Sequence, residues 1–398
     1  MTVEMTEDMT VLQRLRAAPD LLTAVAACSP AERASQKSLR GHFPDELVRA
    51  ALVLQEARER AIGRLPHAER LWLTRTGLEQ ASSWDVAVHK AKRFAGCGEV
   101  VDLCCGIGSD AAALSHHGPV TAVDRSPAMV LRATWNAELL GRPERFSARC
   151  GDVTAEDWTG RFVHADPDRR DGRDRPARWL EHYQPGLDWM RRLIATARGG
   201  AIKVGPASDF PGKFPGCEIE LVSLGGECRE ATIWFGELVG AEPARATNLN
   251  TGESLAGNPA RSGRRLADTL GGFLVDPDPA VVRSGLLDVL ADQNGILRLD
   301  AEEEYLTTDQ PPATSLATAF AVEAVLPAGI KELRRHLRQQ PAHHYEIKCR
   351  RLAIDVEDIR RQLPTGDAPP CVVIFCHIGG RARGVIARRV ARDTGFAS

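Results

Sequence analysis

The 398-residue chain lacks an excess of charge of either sign: 51 Lys and Arg face 53 Asp and Glu, a net of −2 with the 11 His neutral. Taken whole, it has none of the basic surplus of a dedicated nucleic-acid binder. No apolar run approaches the length that spans a bilayer. The first residues, Met1 to Leu22, start acidic and lack the roughly 7–15-residue apolar core of a secretory signal. Ten cysteines spread over this length are too sparse for a disulfide framework. There is no internal repeat and no low-complexity tract. These absences lead us to expect a soluble cytoplasmic protein with no membrane partner. What is present is core material. At 43% hydrophobic residues the chain can bury sizeable cores. Its length suits two or three domains of roughly 100–200 residues each.

Residues 1–95 read as a helical region rich in Ala, Leu, Arg and Glu. Leu47, Ala50, Ala51 and Leu54 follow helical spacing. Ser29-Pro30-Ala31-Glu32 reads as a helix start, with Ser as cap and Pro in the first turn. Thr76–Phe94 is expected as one amphipathic helix. From Gly96 the texture changes. Short apolar runs at 100–103, 120–124, 162–166 and 200–204 alternate with helical patterns at 109–116, 127–140 and 179–197. Segments 217–224 and 230–239 read as a closing strand pair. Strands alternating with helices imply a parallel sheet with crossover helices. This gives a domain over 96–240. Residues 241–271, rich in Asn, Gly, Pro and Arg, read as a linker or irregular connection. Residues 272–398 form a further mixed α+β region, with helices near 279–291 and 328–339 and strands near 344–349 and 371–376.

The informative motif is Asp102-Leu103-Cys104-Cys105-Gly106-Ile107-Gly108-Ser109-Asp110, at a strand-to-helix turn. Gly106 and Gly108 let a ligand approach the backbone closely. Asp124 closes the next strand, 16 residues beyond Gly108. A carboxylate there can accept hydrogen bonds from both hydroxyls of a ribose. Dinucleotides and S-adenosylmethionine (SAM) both fit such a unit. A pyrophosphate would sit at the helix N-terminus, where Asp110 would repel it. A sulfonium carries no phosphate and tolerates acids nearby, so the residues favour SAM.

Segment 100–240 resembles the class I SAM-dependent methyltransferases. Asp102 to Gly108 is similar to their first motif, in a Cys-Gly-x-Gly variant seen in several nucleic-acid methyltransferases and trimethylguanosine synthase. Val120–Asp124 is similar to the ribose-binding motif. Cys150-Gly151-Asp152-Val153 is similar to the third, where the acid or the next amide meets the adenine. The whole chain resembles bacterial proteins that join this fold to an N-terminal helical region and a C-terminal THUMP-like domain. The resemblance implies an α/β fold with a Rossmann-like seven-strand methyltransferase domain. The cofactor would be SAM, held by Asp102, Cys104, Gly106, Gly108, Asp110, Asp124, Arg125, Asp152 and Val153.

Asp166-Pro167-Asp168-Arg169 follows the fourth strand. In amino-methylating relatives this place holds an Asp/Asn/Ser-Pro-Pro-aromatic turn that accepts hydrogen bonds from the target amine and orients its lone pair. Asp166 and Pro167 match. Asp168 and Arg169 stand where the second Pro and a base-stacking aromatic would be. These four are the expected catalytic residues. Arg169 can stack on a base or bind a phosphate, or pair with Asp168 or Asp171. The loop to Arg178 holds five Arg and four Asp, a composition that also suits a mutually paired surface. Neither Asp166–Arg170 nor Gly205–Ser208 contains the Cys that a cytosine-5 mechanism needs. Cys104 and Cys105 are expected to pack rather than react. No metal site is expected: Cys371 and Cys376, five apart on a strand, point to opposite faces.

The near-zero total hides a polarity. From Lys331 to Ser398 there are 14 basic and 7 acidic residues, and from Ala241 to Ile330 there are 6 and 13. The basic end, including Lys348, Arg350, Arg351, Arg381 and Arg383, suits a phosphate backbone. The same cations could instead pair with the acidic segment. Gly379-Gly380 between apolar strands fits a hairpin turn. The resemblance to THUMP-like proteins adds an expectation of RNA, methylated on nitrogen. Rival readings are a methyltransferase of small molecules or proteins, and a non-catalytic SAM-binding scaffold.

Overall fold

The computed structural model describes residues 9–29, 31, 37–169 and 177–390. They fall into two compact units. One comprises the chain up to Glu218 with Glu230–Gly240, the other Ile219–Arg229 and the chain from Ala241 onward.

In the first unit, α1 (Met9–Arg16), α2 (Pro19–Ala27), the single-turn α3 (Lys37–Arg40) and α4 (Asp45–Ala61) form the N-terminal helices. Helix α4 shows why. Leu47, Val48, Ala51, Leu54, Ala57 and Ala61 recur at helical steps and are all buried. Asp45 and Glu46 in its first turn and Arg58 and Arg60 in its last complement the helix dipole. The expected cap at Ser29-Pro30-Ala31-Glu32 depends on residues outside the described ones.

The expected single helix over Thr76–Phe94 is instead two, α5 (Arg75–Gln80) and α6 (Trp84–Lys92). Thr74 caps α5, its Oγ1 accepting from the Gly77 amide at 2.9 Å. The break turns Ser82 inward, where its hydroxyl lies 2.9 Å from Asp110 and 2.7 Å from Glu230. A continuous helix could not deliver it there.

The sheet contains β1 (Val100–Leu103), β2 (Val120–Asp124), β3 (Phe146–Cys150), β4 (Phe162–Ala165) and β5 (Gly199–Val204). Helices α7 (Ser109–Leu114), α8 (Pro127–Leu140) and α9 (Leu187–Thr196) connect them. The expected helix at 179–197 starts only at Leu187, behind a 3-10 turn at Leu180–His182 and Pro185. The five strands are parallel in the order β3-β2-β1-β4-β5. Next in the chain come β6 (Glu218–Leu224) and β7 (Glu227–Gly236), and Ala231–Gly236 of β7 runs antiparallel to β5. Strands β1 and β4 are buried throughout, as strands covered on both faces should be. The chain moves outward from β1 to β2 and β3, then resumes on the other side of β1 at β4. Ligands of open α/β sheets bind at the carboxyl ends beside such a reversal. Here those ends lead into Cys104 and Asp166.

In the second unit, β8 (Ala244–Asn248) and β9 (Ser254–Gly257) occupy part of the expected 241–271 linker. Strand β8 lies parallel to β6 and antiparallel to β9. Their polar residues hide them in the sequence but are satisfied in the fold: Thr247 Oγ1 meets Glu220 at 2.7 Å and Ser254 at 2.8 Å. Helices α10 (Pro279–Arg283) and α11 (Leu287–Asn294) replace one expected helix, parted by Gly285 at φ +76°.

A seven-stranded sheet follows: β10 (Phe273–Pro277), β11 (Leu297–Arg298), β12 (Leu306–Thr308), β13 (Ala317–Pro327), β14 (Tyr345–Cys349), β15 (Cys371–Ile378) and β16 (Arg381–Arg389). Its order is β11-β12-β10-β13-β16-β15-β14. Helices α12 (Ile330–Leu337) and α13 (Val356–Gln362) pack on one face. Alternation along β15 divides the core. Val372, Ile374 and Cys376 enter one cluster, and Cys371, Val373 and Phe375 the other. The two cysteines thus sit on opposite faces, as their spacing predicts. Gly379 and Gly380, both at positive φ, make the β15–β16 hairpin turn.

Candidate active site

The turn after β1 carries the glycine motif. Cys104, Gly106 and Gly108 all have positive φ, at +62°, +53° and +81°. The two glycines do different work. A Cβ on Gly108 would come within 2.8 Å of the Cα of Ala133 in α8, so this glycine serves close packing. A Cβ on Gly106 would meet nothing within 4 Å, so this glycine faces open space. Burial pushes the thiols of Cys104 and Cys105 well up, and nearby carboxylates add to it. A thiol held so far up stays protonated near neutral pH, which disfavours a nucleophilic role.

Asp124 ends β2 beside this turn. Its Oδ2 accepts from the Gly106 amide at 2.9 Å and its Oδ1 from the Ser126 amide at 2.8 Å. Burial raises its carboxyl, partly offset by those two amides. Arg125 is exposed. Asp152 is exposed too, its Oδ1 accepting from the amide and hydroxyl of Thr154 at 2.9 and 2.7 Å. Val153 is buried, and its carbonyl accepts from the Trp158 indole at 2.9 Å.

Behind the turn lies a buried charge chain that the sequence reading missed. Lys90 of α6, only 2% exposed, pairs with Asp110 at 2.9 Å and Glu230 at 2.7 Å. Its Nζ is 3.4 Å from His164 Nε2, and His164 Nδ1 is 2.6 Å from Asp102 Oδ1. His164 thus bridges Lys90 and Asp102. Burial opposes the Lys90 charge, but Asp110 and Glu230 outweigh it and hold the group cationic. Burial likewise opposes the Asp110 charge, but Lys90, His164 and Lys203 hold it well below the usual carboxylate range. Asp102 goes the other way: burial raises it and His164 only partly compensates. Its Oδ2 is fully buried without a hydrogen-bond partner in the protein.

Asp110 has partners inside the fold that its sequence reading did not include. The sequence suggests a cofactor-side acid that repels phosphate. The structure turns its carboxylate onto Lys90 and Ser82, so the charge is neutralised inside the fold. A lysine on the apolar face of α6, between Ala87 and Ala91, was the available signal.

The turn after β4 lies alongside. The Asp166 amide donates to the Leu103 carbonyl at 3.0 Å, tying it to β1. Lys203 of β5 donates to Asp166 Oδ2 at 2.7 Å and to the Gln80 carbonyl at 2.5 Å. Pro167 is buried. Asp168 Oδ1 accepts from the Gln80 side chain at 2.6 Å, and its backbone forms a two-way bridge with Gln184 at 2.9 Å. Arg169 is half-buried, its carbonyl accepting from the Ala177 amide at 2.5 Å. Asp171 lies outside the described residues. The four residues expected to act on the acceptor are thus together at one carboxyl end of the sheet. Lys203 and Gln80, which fix two of them, were not foreseen.

A parallel α/β sheet with a glycine turn after its first strand and an acid closing its second defines a nucleoside-binding domain. Comparison with known proteins narrows this. Proteins of two Mycobacterium tuberculosis strains, each described as an uncharacterized S-adenosylmethionine-dependent methyltransferase, are 34% identical over 335 residues, covering 81% of this chain and 89% of their own length. The THUMP domain-like family matches residues 317–389. A Porphyromonas gingivalis W83 crystal structure, described as a candidate methyltransferase, superposes with a TM-score of 0.78 at 18% identity, covering 97% of this chain and 100% of that one. The chain belongs to the SAM-dependent methyltransferases. Their cofactor suits the residues present. Gly106 leaves a cradle that a side chain would fill, Asp102 offers a buried unpartnered carboxylate oxygen, and Asp124 has lone pairs to spare for hydroxyls.

Among the described residues, no helix is long and apolar enough to cross a membrane. The basic C-terminal residues are largely spent within their own unit. Lys348 pairs with Asp276 at 3.0 Å, Arg350 with Asp276 at 2.8 Å and Glu304 at 3.2 Å, and Arg351 with Glu304 at 2.7 Å. Asp276 and Glu304 belong to the acidic 241–330 segment. Three of the five cations expected to meet a phosphate backbone therefore pair with it, and among the described residues Arg381 and Arg383 make no such ion pair.

Proposed function

We propose that this methyltransferase modifies RNA at a nitrogen of a base, with Asp166 and the Pro167 turn orienting the acceptor. The observation that carries the reading is the acceptor turn itself. A carboxylate and a backbone carbonyl, both acceptors, stand at the end of β4 beside the cofactor turn of β1, and Lys203 holds the carboxylate. Acceptors so fixed suit a group that arrives with N–H bonds to donate, such as an exocyclic amine. The match of 317–389 to the THUMP domain-like family supports RNA as the carrier of that amine.

In this reading Asp102, Gly106 and Asp124 hold SAM, with Cys104, Arg125, Asp152 and Val153 along its edge, while Gly108 lets the turn pack closely on α8. Bound there, SAM supplies a methyl group activated by its sulfonium. The chain contributes position: Asp166 and the Pro167 carbonyl accept from the target amine and aim its lone pair. Much of the rate would come from that alignment. Asp168 and Arg169 flank the acceptor. Cytoplasmic RNA is the natural substrate of such a protein.

The test is labelled SAM with total RNA from cells lacking the protein, followed by mapping of the labelled nucleoside. Asp166→Ala is expected to abolish transfer with SAM affinity retained. Transfer at the wild-type rate by that variant would refute the acceptor-turn assignment. Labelling of a small molecule or protein but of no RNA would replace the substrate.

A further inference from the structure

The acceptor turn offers hydrogen bonds but no flat apolar surface. A base held only by its edge rotates freely about that edge, so it also needs something to stack on. Among the described residues, one large aromatic is exposed: Trp179, with 54% of its surface open. Of the seven tryptophans, Trp72, Trp158, Trp189 and Trp234 are buried. Single exposed apolar residues are common. What distinguishes Trp179 is where it stands and how firmly it is mounted.

The segment that carries it is stitched to the acceptor turn at both ends. Before it, the Ala177 amide donates to the Arg169 carbonyl at 2.5 Å. After it, Gln184 and Asp168 exchange two backbone hydrogen bonds of 2.9 Å. The neighbour Leu180 is fully buried, and its amide donates to Asp209 Oδ1 at 3.0 Å. Tyr183 is buried, its hydroxyl 2.6 Å from Ser208 Oγ. Lys213 pairs with Glu181 at 2.7 Å and Asp209 at 2.5 Å, and this anchored ammonium lies 5.9 Å from the Trp179 ring centroid. The indole is thus held against a cation while more than half of its surface stays open. The turn thus buries Leu180 and Tyr183 and leaves Trp179 exposed on a segment hydrogen-bonded to Asp168 and Arg169, the neighbours of the residues proposed to grip the acceptor amine.

We propose that Trp179 is the platform on which the acceptor base stacks. The ligand class is a planar heteroaromatic ring whose amine faces Asp166. This rests on the RNA reading and adds a specific contact to it. Stacking tolerates any base, so Trp179 would contribute affinity and orientation, and the acceptor turn would choose the atom.

The experiment uses the full chain loaded with S-adenosylhomocysteine and titrated with single-stranded 12-mers of each base and with an abasic strand of equal charge. Tryptophan emission and anisotropy of end-labelled strands are read together. Wild type should show quenching by the base-bearing strands. Trp179→Ala should lose that quenching and bind them roughly ten- to a hundredfold more weakly, with the abasic strand and SAM affinity unchanged. Trp179→Phe should recover most of the affinity. Unchanged melting temperatures would show that neither variant fails to fold. Equal quenching in wild type and Trp179→Ala, absence of base-dependent quenching in wild type, or equal losses on abasic and base-bearing strands would each overturn the platform. If wild type methylates no RNA while Trp179-dependent quenching persists, the RNA reading fails and the aromatic platform stands.

Discussion

Lys203 Nζ lies 2.7 Å from Asp166 Oδ2, with 4% of the lysine side chain exposed. The same ammonium holds the Gln80 carbonyl. One cation therefore fixes the Asp166 carboxylate to the neighbouring strand and to the end of α5. Lys203→Met would leave a largely buried carboxylate without its counter-charge, at a cost of about 3 kcal/mol. Urea unfolding should show this loss. The double variant Lys203→Met/Asp166→Asn should regain part of it, because no charge is then stranded. A single variant as stable as wild type would contradict the pairing.

The buried cluster around Lys90 sets the response to acid. Asp110 is held well below the ordinary carboxylate range. It binds fewer protons folded than unfolded, so its contribution is complete above its ordinary value of about 4 and is lost as pH falls below that. Asp102, raised by burial, acts in the opposite sense: it favours the fold when protonated, and that advantage fades as pH rises. Asp110→Asn should flatten the decline in urea midpoint between about pH 4 and pH 2. An unchanged slope would remove Asp110 from the acid-sensitive set.

Gly106 and Gly108 share a positive φ but should fail differently. Gly106→Ala has room for its methyl group, so stability should drop by only about 1–2 kcal/mol while SAM affinity falls at least tenfold. Gly108→Ala drives a methyl group into Ala133 and should lower the melting temperature more. Calorimetric SAM titration beside thermal melts separates the two. Equal loss of SAM affinity at matched stability would contradict the division of roles.

In the C-terminal unit, Arg350 and Arg381 should behave oppositely. Arg350→Met breaks a half-buried pairing with Asp276 and Glu304 and should cost stability. Arg381→Ala and Arg383→Ala should leave the melt unchanged, and each should reduce the salt slope of RNA affinity by up to about 1. RNA binding measured at several salt concentrations checks both. A salt slope lowered only by Arg350→Met would restore the original charge reading.

The glycine turn, the acids in β1 and at the end of β2 and the Asp-Pro turn after β4 were legible because each is required by its own few residues. A backbone at positive φ selects glycine locally, and strand ends declare themselves by apolar runs. The break between α5 and α6 was not legible. Nothing near Ser82 in the chain reveals that Glu230, 148 residues away, needs its hydroxyl.

The sequence by itself determined the α/β order, the glycine turn after β1 and the presence of an acidic segment before a basic end. Tertiary structure decided what the charges do. Asp110 is turned onto Lys90, Lys348 and Arg350 onto Asp276, and Lys203 onto Asp166. The physical reason is distance along the chain. Helical and strand periodicity act over a few residues, whereas a buried charge must find its partner wherever the fold brings one, here between 20 and 140 positions away.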